Sequence, residues 1–283
     1  PTEGTSMIFP NHTAYVTVAL SGFLVMAQAA NAQDSFLPGF LSAGGALDNP
    51  DPDLVFSIGG GASYAPSYFG SDDYDVDPSG TFRFDYVRFP NGFTFGSANS
   101  VGFNQGFGLL GSANFVSKRN SSKYSEINGL DDVDATMEFG FGVGYEQENY
   151  RAFANARYGF FGHEAFVGDI GLDYIARPIQ GLTLTVGPRV DFGTDKYADT
   201  YFGISQSEST ASGLQAYSAD GGIISAGIEM TALYQFNPRW GVRGKFTWDR
   251  LSNDAGNSPI TKQGDEDQFR IKLDLIRRIS IDF

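Results

Sequence analysis

Apolar and polar side chains alternate almost without exception along the last segment of the chain, residues 268–283. Only Arg277 and Ile276 break the pattern. A period of two is typical of a β-strand with one apolar face and one polar face. The sixteen residues of this segment exceed the roughly five or six that are usual in soluble sheets. They are enough for a tilted strand that crosses a membrane, which needs about 9–11 residues.

The same alternation recurs along most of the chain. It is strong in 133–145, 182–192 and 224–236, and weaker in 54–64, 80–88, 106–117, 150–160, 165–177 and 240–250. Short turns such as 178–181 and 237–239 alternate with long polar connections at 66–78, 118–132, 194–221 and 252–267. Short turns at one end and long loops at the other are typical of outer-membrane barrels.

These strands have to close on themselves, because lipid offers no water to satisfy an open sheet edge. The apolar, glycine-rich stretch 93–104 is either a segment folded into the lumen or part of an additional hairpin. The sequence therefore predicts an all-β fold, a closed antiparallel transmembrane β-barrel of about 10–12 strands, with short periplasmic turns and longer extracellular loops.

Trp240 and Trp248 are the candidate membrane-girdle aromatics. They lie eight residues apart on the outward face of one predicted strand, which separates them by about 26 Å along the strand. A tilt of about 40° reduces this to about 20 Å of height, close to the spacing of the two aromatic girdles of a barrel. The alternative is a pair of core tryptophans in a soluble sandwich.

The opposite face of the predicted strands carries charges of both signs. The candidate lumen residues are Glu138, Arg151, Arg157, Asp169, Asp173, Arg189, Asp191, Glu229, Arg243, Lys245, Asp249, Arg270, Lys272 and Asp274. Mixed charges in a narrow lumen favour a salt-bridged plug, whereas a selective conduit more often has one sign or a sparse lining. A channel for small solutes is the alternative.

Composition excludes several classes of function. The chain has no cysteine, which excludes a disulfide framework and a thiol nucleophile. Its net charge of −14 argues against a nucleic-acid partner, which attracts basic surfaces. The 36 glycines and 15% aromatic residues are typical of strands and tight turns.

The N-terminal part has the layout of a secretory signal peptide. An apolar run at 14–27 is followed by Ala30-Asn31-Ala32, a small-x-small cleavage pattern. No Lys or Arg precedes the run, which departs from the usual layout. We therefore expect a signal peptide over 1–32, a periplasmic tail over 33–52 and the barrel over 53–283.

Candidate catalytic and metal-binding residues are few. His163 is the one histidine after residue 32; no nucleophile motif surrounds it, so we expect a surface residue beside Glu164. The start of a calcium loop is resembled by Asp72, Asp73, Asp75 and Asp77, but the glycine and glutamate that an EF-hand requires are missing. A looser calcium contact in an extracellular loop is the alternative. The sequence predicts no enzyme, no catalytic residue, no cofactor and no metal site.

Four blocks of sequence, together and in order, resemble the MipA/OmpV family of outer-membrane proteins. The blocks are 61–74, 129–140, 200–222 and 250–260, and the third, with Thr200-Tyr-Phe-Gly-Ile-Ser205, is the most distinctive. The terminal strand also resembles the C-terminal assembly signal of bacterial barrels, with Phe269, Ile271, Leu273, Ile279, Ile281 and Phe283 as its candidate residues. Members often carry an aromatic residue where this chain has Ile281.

The resemblance implies a non-enzymatic protein of the bacterial outer membrane, surrounded by outer-membrane lipid. The family's name-giving member interacts with the lytic transglycosylase MltA and links a murein hydrolase to a murein synthase. The resemblance therefore implies a scaffold whose partners are a lytic transglycosylase and a bifunctional penicillin-binding protein. It carries no residue-level binding motif, so we single out the tail 33–52 as a candidate docking element. We expect a monomer.

Two other functions remain open at this point. The first is a narrow outer-membrane channel for small solutes. The second is a surface adhesin that acts through the extracellular loops 194–221 and 252–267.

Overall fold

The fold is known from a computed structural model, which describes residues 52–96 and 106–282. The signal peptide at 1–32, nearly all of the tail at 33–52, most of the stretch 93–104 and Phe283 lie outside the described residues. The strands are β1 (Leu54–Pro66), β2 (Tyr74–Arg88), β3 (Thr94–Gly96), β4 (Gly106–Val116), β5 (Thr136–Glu146), β6 (Tyr150–Phe161), β7 (Phe166–Ala176), β8 (Leu182–Gly193), β9 (Gly222–Gln235), β10 (Trp240–Leu251) and β11 (Asp267–Ile281).

All these strands form one antiparallel sheet in the order β3-β2-β1-β11-β10-β9-β8-β7-β6-β5-β4. Each strand pairs with a neighbour in sequence, apart from the pair β1 and β11, which joins the two ends of the described chain from Leu54↔Ile281 to Tyr64↔Ile271. The prediction of an all-β, antiparallel fold is confirmed.

The sheet is curled. Its order would place β2 and β4 near opposite edges, yet a Cβ built on Gly111 of β4 would lie 4.0 Å from the Cβ of Phe84 in β2. The curl therefore brings these two strands side by side at this point. Every ladder in the described sheet is antiparallel, so β3 and β4 run in the same direction and both run opposite to β2.

The two faces of the sheet have the reverse of the burial found in a water-soluble protein. Large apolar side chains on the outer face are exposed; Phe107 is 87% exposed and Phe141 76%. Acidic side chains on the inner face are buried; Asp173 is 0% exposed and Asp274 1%. An exposed apolar surface that follows every second residue of successive strands is suited to lipid rather than to water.

The connections differ strongly between the two ends of the strands. At one end the turns are short: 89–93, 147–149, 177–181 and 236–239. At the other end lie 67–73, 117–135, 162–165, 194–221 and 252–266. Among the residues that the structure describes, no helix is long and apolar enough to cross a membrane.

The long connections are folded, which the prediction of polar loops missed. They contain α1 (Asp195–Phe202), α2 (Gln206–Ser212), α3 (Asn253–Asn257) and α4 (Pro259–Gln263). Two single-turn 3₁₀ helices, Ser121–Lys123 and Ser125–Ile127, lie in the connection 117–135. The start and end of α2 are set locally. Ser205 and Glu208 form a capping box, and Gly213 ends the helix with φ 77°.

The connections 67–73, 117–135, 194–221 and 252–266 pack together, and we call them the cap. One apolar cluster joins the cap to the ends of β7, β9 and β10; it contains Val133, Ala165, Val167, Tyr197, Ala198, Tyr201, Phe202, Ala219, Ile224, Leu251 and Ala255. A second cluster lies within the cap and contains Tyr68, Ile127, Leu130, Ile204 and Ile260. Each of the four connections contributes a buried side chain to at least one cluster, so the cap is held together by apolar packing.

We expect Gly61→Ala to prevent the pairing of β1 with β11. A Cβ on Gly61 would overlap the carbonyl oxygen of Leu273 and lie 2.9 Å from the Cα of Asp274. Backbone atoms of a neighbouring strand cannot move aside cheaply, so we expect a loss of at least about 2 kcal/mol in the free energy of unfolding. Gly60→Ala is the matched control, because the nearest atom to its added Cβ is the carbonyl oxygen of Ser79, at 3.9 Å. The measurement is urea unfolding in lipid vesicles, and equal midpoints for the two variants would contradict this expectation.

Candidate functional site

The inner face of the sheet is the candidate functional site. Strand register places all the candidate lumen charges on this one face, on strands β5 to β11. The structure brings most of them together in three clusters and leaves a few without an ion pair in the described residues.

The first cluster is centred on Glu138. Arg157 donates from Nε to Glu138 Oε2 at 3.0 Å and also forms an ion pair with Asp169. Asn155 donates to Asp169 Oδ2 at 2.9 Å, and Asn114 donates to Glu138 Oε2 at 3.2 Å. Both carboxylates are therefore held by a cation and by an amide.

His163 completes the Glu138 cluster, and the expectation that it is a surface residue is wrong. Its side chain is fully buried, and its Nε2 lies 3.2 Å from Glu138 Oε1. Its Nδ1 accepts a hydrogen bond from the backbone N–H of Ala165 at 3.2 Å. That acceptor role assigns the proton to Nε2, which donates to Glu138. The ring packs edge-on against Tyr197, with ring centroids 5.0 Å apart, because α1 folds back over the strand ends.

The second cluster is centred on Asp173, which is shared by two arginines. Arg189 donates to Asp173 Oδ1 at 2.6 Å and Arg151 donates to Asp173 Oδ2 from Nε at 3.0 Å. Arg189 also contacts Glu229 at 3.2 Å, and Glu229 forms an ion pair with Lys245. The ring of Phe153 lies 5.4 Å from the Arg151 guanidinium and 5.0 Å from that of Arg189. An aromatic face beside both guanidinium groups adds a cation–π attraction to the ion pairs.

The third cluster is centred on Asp274. Arg243 donates to Asp274 Oδ2 at 2.6 Å and Ser79 donates to Asp274 Oδ1 at 2.5 Å. Sequence reasoning missed a neighbouring pair. Asp85 accepts from Ser57 at 2.7 Å and from Arg83 at 2.6 Å. The signal was present, since both charged residues alternate with Phe82 and Phe84 in the segment predicted as a strand.

Four of the candidate charges make no ion pair in the described residues. Asp191 accepts a hydrogen bond from Ser225 Oγ at 2.7 Å, and Lys272 donates to the carbonyl oxygen of Gly80 at 3.2 Å. Asp249 and Arg270 lie on the inner faces of β10 and β11 at neighbouring register positions. Sequence alternation placed these residues on the correct face but could not tell which charges would meet.

A buried arginine ties the cap together. Arg119 is 5% exposed and donates to the carbonyl oxygens of Tyr201 and Asp131, at 2.9 and 3.2 Å. Burial lowers the pKa of Arg119 from its ordinary value. Burial also raises the pKa of Tyr201 to about 12. The two carbonyl oxygens belong to different connections, so Arg119 links 117–135 to α1.

The candidate girdle and assembly residues lie on the outer face. Trp248 Nε1 donates to Asp267 Oδ1 at 3.0 Å, and the Arg277 guanidinium lies 5.2 Å from the Trp240 ring centroid. A polar partner at the end of an aromatic ring suits the boundary between lipid and water. The assembly-signal residues Phe269, Ile271, Leu273, Ile279 and Ile281 share this face of β11.

The clusters are suited to bracing the sheet. Glu138, Asp173 and Asp274 each accept hydrogen bonds from a charged donor on a neighbouring strand. Among residues 52–96 and 106–282, no group of three or more acidic or histidine side chains is arranged to hold a metal ion. Asp75 of β2 bonds to the cap, where it accepts from Tyr124 Oη at 2.5 Å and pairs with Lys123 at 2.8 Å.

Comparison with known proteins identifies relatives. A family model described as "MltA-interacting protein MipA" matches residues 58–278. The proteins named "MltA-interacting protein" from Escherichia coli and Shigella flexneri are each 35% identical over 80 residues, 28% of this chain and 32% of theirs. The match therefore spans about a third of the length of these curated relatives. A solved structure titled "Bacterial polysaccharide outer membrane secretin" matches 81% of this chain and 99% of its own, with 8% identity and a TM-score of 0.36. A TM-score this low identifies no shared fold.

We expect Asp173→Asn to destabilise the protein by about 3–5 kcal/mol, because it leaves the buried Arg189 and the partly buried Arg151 without their shared carboxylate. Glu164→Gln is the control. It removes an ion pair with Lys196 in which both side chains are 58% exposed, and we expect a loss below about 1 kcal/mol. Urea unfolding in lipid vesicles measures both. A loss at Asp173 no larger than that at Glu164 would show that the inner ion pairs do not brace the sheet.

Proposed function

Because the chain belongs to the MipA family of MltA-interacting proteins, we propose that it is a non-enzymatic outer-membrane barrel that links a murein hydrolase to a murein synthase. The observation that carries the membrane part is the reversed burial of the sheet, with Phe107 and Phe141 outside and Asp173 inside. The name of the relatives supports a lytic transglycosylase as one partner. A bifunctional penicillin-binding protein is the second.

The barrel of this proposal has ten strand positions. β4 runs antiparallel to β2 and lies beside it at Gly111 and Phe84. β3 and β4 run in the same direction, and β3 pairs with the last residues of β2, from Tyr86 to Arg88. In the proposed barrel, β3 and β4 are two segments of one strand position, which closes the sheet and removes its open edges.

The cap is the main argument for a scaffold over a channel. Its two apolar clusters and Arg119 cover one end of the strands, and the ion pairs of Glu138 and Asp173 occupy the inner face below. A conduit for solutes needs a continuous path, and a packed cap with a braced interior opposes one.

The two ends of the barrel have different roles in this proposal. In outer-membrane barrels the short turns are periplasmic and the long connections extracellular, so the cap faces outward. A periplasmic partner then meets the short turns and the tail 33–52, which we retain as the candidate docking element. The loops 194–221 and 252–267, which an adhesin would use, have much of their apolar surface committed to the cap clusters.

We expect the refolded protein to retain a purified lytic transglycosylase and a bifunctional penicillin-binding protein from its own host. The chain from residue 33 to the end is immobilised in detergent, and each enzyme is added alone and together with the other. Retention of both in one complex is expected. The chain without residues 33–52 is the matched variant, and we expect it to lose the transglycosylase while it still folds. If the complete chain retains neither enzyme, the scaffold function is wrong.

We expect the protein to form no stable conducting pore in a planar lipid bilayer, and cap removal to open one. A Cβ on Gly221 would lie 2.5 Å from the carbonyl carbon of Thr194, so a short glycine linker can replace 195–220 without stretching the chain. We expect this replacement to raise the conductance because it removes α1 and its aromatic residues. Replacement of 206–212 alone is the control, since α2 has no buried residue. Steady conductance of the unaltered protein equal to that of the trimmed variant would favour the channel instead.

A further inference from the structure

The two walls of the inner face differ in how far their charges are buried. On the wall formed by β5 to β8, Glu138, Asp173 and Arg189 are buried within their clusters. On the wall formed by β1, β2, β10 and β11, Asp85 and Asp274 are buried. Gly61, Asp77 and Arg270 of the same wall are exposed, and the Lys245 side chain is 35% exposed. Water therefore reaches the second wall, and we call the space beside it the crevice.

Cations converge on the crevice. Lys245 of β10 lies directly opposite Lys272 of β11, and Arg270 occupies the next inward position of β11. Like charges placed directly opposite each other in a sheet destabilise the pairing. The carboxylate of Asp274 attracts the Lys272 ammonium, whereas the charges of Arg243, Lys245 and Arg270 repel it. A bound anion would reduce the repulsion between these cations of β10 and β11.

The neighbouring side chains leave room for a ligand. On β1, the positions that face Asp274 and Lys272 are Gly61 and Ser63. Both are small, so β1 places no large side chain beside Lys272. Among residues 52–96 and 106–282, the one hydrogen-bond acceptor of Lys272 is the backbone carbonyl oxygen of Gly80, at 3.2 Å.

The carboxylates near the crevice do not neutralise Arg270 by direct contact. Asp274 bonds to Arg243 and Glu229 to Lys245. Asp249 leans over β9, where its Oδ1 lies 2.5 Å from the position of a Cβ on Gly227. In the described residues, Arg270 makes no hydrogen bond and no ion pair. Asp77 faces the crevice from β2, across Ser63 from Lys272.

We propose that the crevice binds a small oxyanion, a carboxylate or a phosphate, between the Arg270 guanidinium and the ammonium groups of Lys245 and Lys272. A guanidinium offers two parallel N–H donors to such a group, and the ammonium groups add charge-assisted hydrogen bonds. This site is independent of the scaffold function, since it uses neither the turns nor the tail.

Lysine acetylation tests the site, because the lysines of the crevice can be compared with other lysines of the same protein. The protein is refolded in detergent at low ionic strength, so that charges are weakly screened, and treated with an acetylating reagent with and without inorganic phosphate or succinate. At a probe concentration about ten times its Kd, we expect the acetylation of Lys245 and Lys272 to slow about tenfold. Lys118, Lys123, Lys196 and Lys262 lie in the cap and serve as internal controls with unchanged rates.

A variant pair then tests the role of Arg270. We expect Arg270→Gln to weaken the binding of the protecting probe about tenfold, by loss of a charge-assisted contact. Arg277→Gln is the matched control, because Arg277 lies on the outer face over Trp240. Folding of both variants is checked by gel electrophoresis in detergent, in which a folded barrel migrates differently before and after heating. Protection by phosphate, by succinate or by both supports the site and identifies the oxyanion. Equal protection of all six lysines, no protection by either probe, or an unchanged affinity in Arg270→Gln would overturn it.

Discussion

Pairing of buried charges across neighbouring strands is the interaction on which the sheet depends. The carboxylates of Glu138, Asp173 and Asp274 are removed from water and each is matched by an arginine on a neighbouring strand. A buried charge without its partner costs several kcal/mol. A register slip of one residue would also move the whole charged set to the apolar face. The ion pairs therefore make one strand register much more favourable than its neighbours. The apolar outer face alone would give a weaker preference for that register.

Glycine makes this arrangement of strands sterically possible. Gly140 and Gly187 face the backbone of neighbouring strands so closely that a Cβ on either would overlap a carbonyl oxygen. Gly159 leaves the space that the His163 ring occupies, and thereby allows His163 to reach Glu138. The many glycines of the chain thus serve close approach inside the curled sheet as well as tight turns.

The long polar connections fold and pack together as the cap. Tyr197, Tyr201 and Phe202 lie on one side of α1 and bury their rings against the strand ends. Arg119 and Ser258 then satisfy backbone carbonyl oxygens of α1, those of Tyr201 and Phe202. A buried carbonyl without a donor is costly, so these contacts hold the cap in one arrangement. The same arrangement packs the cap against the ends of β7, β9 and β10.

The sequence by itself determined most of the strands and the face that each of their side chains takes, because the period of two is a local property of an extended backbone. It was wrong for the start of β2, which begins at Tyr74 within the predicted loop 66–78. Alternation through Phe269, Ile271 and Leu273 predicted the outer face of β11, and the polar residues between them predicted the inner one. The pairing of Asp173 with two arginines was decided by strand order and register, which alternation does not contain. The burial of His163 and the folding of 194–221 into the cap were decided by contacts between segments far apart in the chain. Their residues are polar or aromatic without a clear period, so only the tertiary structure brings together the partners that bury them.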